Sequence, residues 1–282
     1  MPGSGAAVRL VALDVDGTVL PPDHVIAPST VAAVAAARAR GVHVVLASSR
    51  GPVALEPIQE VLGLRDEWFI GYQGALVARE RGGALEVLSE IRIDPAAARE
   101  AEDRAVAAGL SVGRYVGSRL RVRELTPALR LEASQTGEQL VLSTPEEADD
   151  DDPPHKLMVI AGGEQHWGAL AALEAALPDT VTATLSHPGF LEITARGVDK
   201  ASGIAPLAAR FGLPLEAIAA VGDGPNDLGL FAAVGHPVAM GQARAEVRAA
   251  ARWVTTGVTD DGVARALTHL GAVPEDMWMP CR

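Results

Sequence analysis

The chain has 282 residues, 48% of them hydrophobic, so it can bury a full core and is long enough for one large domain or two modest ones. Its net charge of −12 argues against a nucleic-acid partner or an anionic membrane surface, and any phosphate chemistry must supply its own local positive charge. Its single cysteine, Cys281, excludes an internal disulfide framework and indicates a reducing compartment.

The N-terminal residues predict no export. Residues 1–8 are rich in glycine and alanine and lack the basic and apolar regions of a signal peptide. No stretch of the sequence reaches membrane-spanning length. We therefore expect a cytoplasmic protein.

The first part of the chain alternates between strands and helices, which is typical of a parallel α/β sheet. The predicted elements are a strand over 10–13 with Asp14 at its end, a helix over 28–40 closed by Gly41, a strand over 42–47, a helix over 53–62 and a strand over 68–72.

The middle of the chain has a different pattern, beginning with a β-hairpin over 75–91 that turns at 81–83. The predicted elements that follow are a helix over 95–108, strands over 120–124 and 155–161, a helix over 167–177, and strands over 181–185 and 190–194. Residues 128–142 are left unassigned. The acidic run 146–152 is predicted to be a solvated loop, because it lacks the ligand spacing and central glycine of a calcium-binding loop.

The alternation resumes in the last part of the chain, so its two ends are predicted to share one sheet. The predicted elements are helices over 200–211, 225–233, 243–251 and 262–270, and strands over 217–221, 237–240 and 253–255. The predicted fold is α/β, with a core domain of residues 1–75 and 195–282 and an inserted α/β cap of residues 76–194.

Two carboxylates follow the first predicted strand, where α/β sheets bind their ligands. Asp14 and Asp16 project the same way if the chain stays extended, and their mutual repulsion calls for a cation. Asp14 is then the natural nucleophile towards phosphorus, and Asp16 is placed for proton transfer while its backbone carbonyl binds the metal. Thr18 has a supporting role. The alternative is a simple polar turn at the end of a strand.

Two further positions offer groups for an anion. Ser48 follows the second predicted strand, and its hydroxyl and the backbone amides of the Ser48-Ser49-Arg50 turn can hold a phosphoryl oxygen. Lys200 begins a predicted helix, where the helix dipole disfavours a cation, so it calls for an anionic partner. Taken alone, each residue also suits an ordinary surface position.

A third group of polar residues follows the predicted strand over 217–221. Asp223 could complete an oxygen-rich Mg²⁺ site with Asp14 and the carbonyl of Asp16. Asn226 and Asp227 lie at a helix start, where they could cap the helix, orient Lys200 or steady a metal-bound water, and Asn226 is also a candidate for phosphate binding.

Taken together and in this order, these segments resemble the four motifs of the haloacid dehalogenase superfamily. The matching segments are Asp14-Val15-Asp16-Gly17-Thr18, Ser48, Lys200 and Gly222-Asp223-Gly224-Pro225-Asn226-Asp227. The position of the cap between the second and third motifs resembles the Cof-type phosphatases, as do Val238-Ala239-Met240-Gly241 and Asp261-Gly262-Val263-Ala264. The resemblance covers the chain from residue 10 to about residue 270.

The resemblance implies Mg²⁺-dependent hydrolysis of small phosphomonoesters, such as sugar phosphates, through a phospho-aspartate. It also implies a Rossmann-like core and a mobile cap that selects the substrate, a small phosphorylated metabolite. Two departures stand out: Ser48-Ser49-Arg50 replaces the usual Thr-Gly-Arg, and Gln73-Gly74-Ala75 replaces Asn-Gly-Ala.

Three other functions are compatible with parts of this pattern. A phosphomutase or phosphotransferase would use the same Asp14 and Asp16. A catalytically silent binding protein would not be expected to keep these residues together with Lys200 and Asp223. A nucleotide-binding oxidoreductase is disfavoured, because no Gly-x-Gly-x-x-Gly follows the first strand. The sequence carries no signal for the oligomeric state.

Overall fold

The computed structural model describes residues 7–143 and 152–274. The acidic run over 146–151 and Cys281 lie outside the described residues. Within those residues, no helix combines the length and the apolar character that crossing a membrane requires.

The strands and helices follow the predicted alternation closely at both ends of the chain. The strands are β1 (Leu10–Asp14), β2 (His43–Ala47), β3 (Phe69–Gly71), β4 (Leu76–Arg81), β5 (Ala84–Glu90), β6 (Ser111–Val116), β7 (Arg119–Val122), β8 (Leu140–Leu142), β9 (Lys156–Ile160), β10 (Val181–His187), β11 (Phe190–Ala195), β12 (Ile218–Gly222), β13 (His236–Ala239) and β14 (Trp253–Val254). The helices are α1 (Pro28–Ala39), α2 (Pro52–Val61), α3 (Pro95–Ala107), α4 (Pro127–Thr136), α5 (Trp167–Ala176), α6 (Lys200–Phe211), α7 (Leu228–Ala233), α8 (Ala245–Ala250) and α9 (Gly262–His269).

The residues form two compact units. The first comprises Met1–Ser49, Glu56–Leu88 and Asp199–Arg282, and the second comprises Arg50–Leu55 and Ser89–Val198. Among the described residues, the sheet of the first unit has the strand order β14-β13-β12-β1-β2-β3-β4-β5. The strands from β14 to β3 are parallel, and β4 runs antiparallel to β3. The α/β class and the shared sheet of the two chain ends are therefore confirmed.

Strand β1 lies in the middle of this sheet and is buried along its whole length. Leu10 is paired with Ile218 of β12 on one side and with His43 of β2 on the other. A parallel strand with neighbours on both sides and apolar layers on both faces reads as a continuous aliphatic run, which explains the sequence from Leu10 to Leu13. Asp14 is the first polar residue beyond that run.

The hairpin of β4 and β5 extends the first sheet, whereas the sequence placed it at the start of the cap. Ile70 of β3 is paired with Val77 of β4, and Val77 is buried in the same apolar core as β1. Gly82 and Gly83 both have positive φ in the turn, as the hairpin prediction required. The contacts between residues thus divide the chain near residues 88 and 198, whereas the sequence pattern predicted a cap of residues 76–194.

The second unit has a mostly antiparallel sheet with the order β10-β11-β9-β6-β7-β8 among the described residues. Helices α3 and α5 pack on it through an apolar core that includes Ala101, Leu157 and Leu170. The unassigned region 128–142 contains α4, which Thr126 caps, and the short strand β8. Strand β6 was not predicted, because Gly113 interrupts its pattern; a Cβ there would lie 2.7 Å from Leu120.

His155 of the second unit is fully buried in its neutral form. Its Nδ1 accepts a hydrogen bond from the Gly117 amide at 3.2 Å, and its Nε2 lies 3.1 Å from Glu90 Oε2. Burial, followed by the charge of Arg92, lowers the pKa of His155 to about 4. An amide donor at Nδ1 leaves the proton on Nε2, where it can be donated to Glu90.

Acidification should therefore destabilise the second unit through His155. The folded pKa lies below the unfolded value, so its contribution is fully present above about pH 6.5 and is lost as the pH falls towards 4, on the order of 3 kcal/mol in total. We expect His155→Gln to flatten the dependence of the urea midpoint between about pH 7 and pH 4.5. Exposed His24→Asn is the control and should leave that dependence as in the wild type. An equally steep dependence in His155→Gln would assign the acid sensitivity to other groups.

Candidate active site

The candidate site lies at the carboxyl ends of the parallel strands in the first unit. Asp14 is the last residue of β1 and is only 5% exposed, and Asp223 follows the neighbouring strand β12 directly. Gly17, in the turn after β1, has a φ of +83°, and a Cβ there would lie 2.3 Å from Asp223 Oδ2. The turn can approach Asp223 this closely only because residue 17 is glycine.

Lys200 is a fully buried cation held between two carboxylates. Its Nζ lies 2.5 Å from Asp14 Oδ1 and 2.6 Å from Asp227 Oδ1. Lys200 is the first residue of α6, whose N-cap Asp199 accepts a hydrogen bond from the amide of Ser202. The predicted anionic partners of Lys200 therefore include two side chains of the protein itself.

The titration behaviour of the site follows from burial and crowding of like charges. Burial raises the pKa of Asp14 to about 7, against the opposing effect of Lys200, and Asp227 raises it further. Burial and the charge of Asp227 also raise the pKa of Asp223. Burial alone would lower the pKa of Lys200, yet the two carboxylates raise it above its ordinary value. The carboxylates outnumber the one buried lysine, so an additional cation would stabilise their ionised forms.

The donor set suits a hard divalent cation. Carboxylate oxygens of Asp14, Asp223 and Asp227 lie within 4.8 Å of one another. Both oxygens of Asp227 already have partners, since Oδ1 contacts Lys200 and Oδ2 accepts from the amides of Asp223 and Gly224 at 3.0 Å. Asp14 and Asp223 are therefore the better candidates for ligands, with Asp227 as their support. An all-oxygen set of this kind fits Mg²⁺.

Asp16 and Thr18 lie in the turn that follows β1. The amides of Thr18, Val19 and Leu20 all donate to the carbonyl of Val15, which folds residues 15–20 into a tight loop. The side chain of Asp16 is exposed on this loop, whereas Thr18 is buried and its hydroxyl has no hydrogen-bond partner among the described residues. An exposed carboxylate next to a buried one is a suitable arrangement for a proton-transfer group beside a nucleophile.

Ser48 and Asn226 are linked to each other through Gln73. The carbonyl of Ser48 accepts from the Gln73 amide at 3.0 Å, and Asn226 Nδ2 donates to Gln73 Oε1 at 3.3 Å. Ser48 is buried directly after β2, Ser49 is half-buried beside it, and Asn226 is exposed. Gln73, which the sequence singled out only as a departure from a family pattern, is thus part of this edge of the sheet.

The turn that carries Gln73 has a strained backbone. Tyr72 and Gln73 have φ values of +51° and +59°, which residues other than glycine, asparagine and aspartate rarely adopt. At Gly74, a Cβ would lie 1.9 Å from the carbonyl oxygen of Asp199, the residue before Lys200. This turn therefore packs tightly against the start of α6 and restricts where Lys200 can lie.

Gln242 is a site residue that the sequence did not identify. Its Nε2 donates to the carbonyl of Gly17 at 2.6 Å and lies 3.4 Å from Asp223 Oδ2. The available signal was its position, because it directly follows Val238–Gly241 and comes soon after the end of a parallel strand. Glutamine is common on surfaces, so that position alone did not indicate a role.

Known proteins resemble this chain along almost its whole length. Residues 11–267 match the model of a haloacid dehalogenase-like hydrolase family. A phosphatase of Bacillus subtilis is 27% identical over 291 residues, covering 93% of this chain and 100% of its own. A haloacid dehalogenase-like hydrolase from Bacteroides thetaiotaomicron has a TM-score of 0.83 at 25% identity and covers 93% of this chain and 99% of its own. A structure described as a subclass IIB sugar phosphatase of the HAD superfamily has a TM-score of 0.78 at 26% identity, covering 94% and 100%.

Proposed function

Since this chain belongs to the haloacid dehalogenase-like hydrolase family, in its Cof-type branch, and is a phosphoric monoester hydrolase, we propose that it hydrolyses small phosphomonoesters through a phospho-aspartate at Asp14 with the help of Mg²⁺. Sugar phosphates and similar metabolites are the proposed substrates, which the likeness to a subclass IIB sugar phosphatase supports. Residues 76–194 are proposed to contain the side chains that select among these substrates.

The observation that supports this proposal most is the buried ion cluster of Asp14, Lys200 and Asp227. Lys200 holds Asp14 Oδ1 at 2.5 Å, so the carboxylate is fixed in orientation and has a positive charge beside it. A fixed, desolvated carboxylate at a strand end is well suited to attack an electrophile. Asp14, Asp223 and the backbone carbonyl of Asp16 would hold a Mg²⁺ ion, which would offset the excess of carboxylates and neutralise charge on the phosphoryl group.

In the first step, an oxygen of Asp14 forms a bond to phosphorus while the bond from phosphorus to the ester oxygen breaks. Asp16, in its protonated form, gives its proton to the leaving alkoxide, so the alcohol departs neutral. Ser48, Ser49, Lys200 and Asn226 are proposed to bind the phosphoryl oxygens. Thr18 and Asp227 support the loop after β1 and Lys200, respectively.

In the second step, the carboxylate of Asp16 removes a proton from water, and the water oxygen attacks phosphorus. The bond between phosphorus and Asp14 breaks, which releases inorganic phosphate and restores both aspartates. One water is consumed for each ester, and the products are the alcohol and phosphate. Asp16 thus donates a proton in the first step and accepts one in the second.

The direct test is a screen of phosphorylated sugars, nucleotides and pyridoxal phosphate, with Mg²⁺ and with a chelator. We expect phosphate release from a subset of substrates. The release should require Mg²⁺ and no phosphoryl acceptor other than water. Adding a large excess of sugar acceptors distinguishes the alternative: transfer of the phosphoryl group without phosphate release would support a phosphotransferase or phosphomutase. Absence of both reactions across the screen would support a silent binding protein and contradict the proposal.

Replacing Asp223 by alanine should weaken the activation by Mg²⁺. Removing one proposed ligand carboxylate is expected to raise the Mg²⁺ concentration for half-maximal activity by about tenfold or more. The measurement is a Mg²⁺ titration of phosphate release at saturating substrate. Asp66→Ala, at an exposed position of the same unit, is the matched control. An unchanged titration in Asp223→Ala would exclude it as a ligand.

A further inference from the structure

Gln242 joins three separate loops of the first unit. Its Oε1 accepts a hydrogen bond from the Val258 amide at 3.1 Å, in the loop after β14. Its Nε2 donates to the Gly17 carbonyl at 2.6 Å, in the loop after β1, and lies 3.4 Å from Asp223 Oδ2, in the loop after β12. The side chain is exposed, so these contacts are not the result of confinement in a core.

The chemistry of these neighbours fixes the orientation of the amide. The Val258 amide is a donor and requires the carbonyl oxygen of Gln242, while the Gly17 carbonyl and Asp223 are acceptors and require its NH₂ group. A flipped amide would place oxygen against oxygen and NH₂ against N–H. The two hydrogens of one NH₂ group are thus directed at two different loops.

The loops on either side are themselves tightly packed. The Gly241 amide donates to the carbonyl of Thr256 at 3.0 Å, and a Cβ at Gly241 would lie 2.9 Å from the amide of Gly257. The backbone at Gln242 is therefore held firmly against the loop after β14. Through its hydrogen bond to the Gly17 carbonyl, its side chain can restrain the loop after β1, which carries Asp16.

From this geometry we infer that Gln242 is a positioning residue, which orients Asp223 for the divalent cation and anchors the Gly17 carbonyl so that the Asp16 loop keeps its place. The cation part of this inference rests on the proposed function. The anchoring part depends only on the contacts described above. Outer partners of metal ligands commonly contribute about tenfold or more to metal affinity.

The test compares Gln242→Met, which keeps the length of the side chain and removes its hydrogen bonds, with the wild type. Mg²⁺ affinity is measured by calorimetry on the whole protein without substrate, and amide hydrogen exchange is measured without metal. We expect a Mg²⁺ Kd weakened by about tenfold and faster exchange at residues 17–20 and 258. Gln135→Met, an exposed glutamine of the second unit, is the matched control and should change neither measurement.

The outcomes separate this inference from the proposed function. If the wild type binds Mg²⁺ and hydrolyses phosphomonoesters while Gln242→Met matches it in both affinity and exchange, the inference alone is overturned. A wild type that binds no Mg²⁺ overturns the assignment of the cation in both the proposed function and this inference. The hydrogen-exchange measurement then decides whether Gln242 anchors the loop after β1. Steady-state kinetics add a further check, since loss of positioning should lower kcat more than it raises KM.

Discussion

Replacing Asp14 by asparagine should abolish phosphomonoester turnover, by about a thousandfold or more, while leaving the fold intact. The amide keeps the shape of the carboxylate but has no anionic oxygen with which to attack phosphorus. Lys200 keeps its contact with Asp227 at 2.6 Å, so the variant does not lose every charge partner in the cluster. The measurement is phosphate release under single-turnover and steady-state conditions with Mg²⁺.

The control for Asp14→Asn is Asp23→Asn, which changes the same group on an exposed surface. Circular dichroism and thermal melting should show that both variants are folded. A related check is trapping of the phosphoenzyme: the wild type should form an acid-stable adduct at Asp14 and the variant should not. Undiminished phosphate release by Asp14→Asn would remove Asp14 from the role of nucleophile.

Replacing Lys200 by methionine should cause loss of both turnover and stability. Methionine fills a similar volume, but Asp14 and Asp227 are left buried, close together and without their shared cation. Removing one partner from a buried ion pair typically lowers the free energy of unfolding by about 3–5 kcal/mol. The measurement is the urea midpoint together with phosphate release.

A second substitution separates these two effects of Lys200→Met. In the double variant Lys200→Met/Asp227→Asn one uncompensated carboxylate is neutralised, so much of the lost stability should return. Turnover should stay low, because the positive charge beside Asp14 is still missing. A stable and fully active Lys200→Met would show that the cluster is neither a structural nor a catalytic requirement.

Sequence periodicity predicted the first unit well because its central strands, such as β1 and β12, are buried along their whole length. The run from Leu10 to Leu13 has no polar interruption, and the polar groups at the ends of β1 and β12 mark the edge of the sheet directly. Asp14 and Asp223 were predicted to meet because parallel strands bring their carboxyl ends to one edge. Lys200 begins a helix instead, and its place in the site was expected from the family resemblance.

Features that depend on packing between distant loops could not be predicted in the same way. Gln242 reaches Gly17 across 225 positions of sequence, and nothing local to a surface glutamine indicates such a contact. The hairpin of β4 and β5 joins the sheet of the first unit, whereas the sequence placed it in the cap, because a hairpin has the same local signal whichever sheet it joins. In β6, Gly113 broke the alternation on which the prediction of a strand depends.

The position of β1 has a consequence for synthesis of the protein on the ribosome. β1 emerges first, yet its partner β12 lies about 200 residues later, which at 5–20 residues per second is a wait of roughly 10–40 s. The strands β6 to β11 are contiguous in the chain and can pair during that interval. We expect stalled nascent chains in which residue 198 has left the ribosome and β12 has not to show protease resistance over residues 89–143 and 152–198, while the segment around Asp14 is still cleaved. Asp14, the proposed nucleophile, would thus be exposed to chaperones and proteases until β12 has left the ribosome.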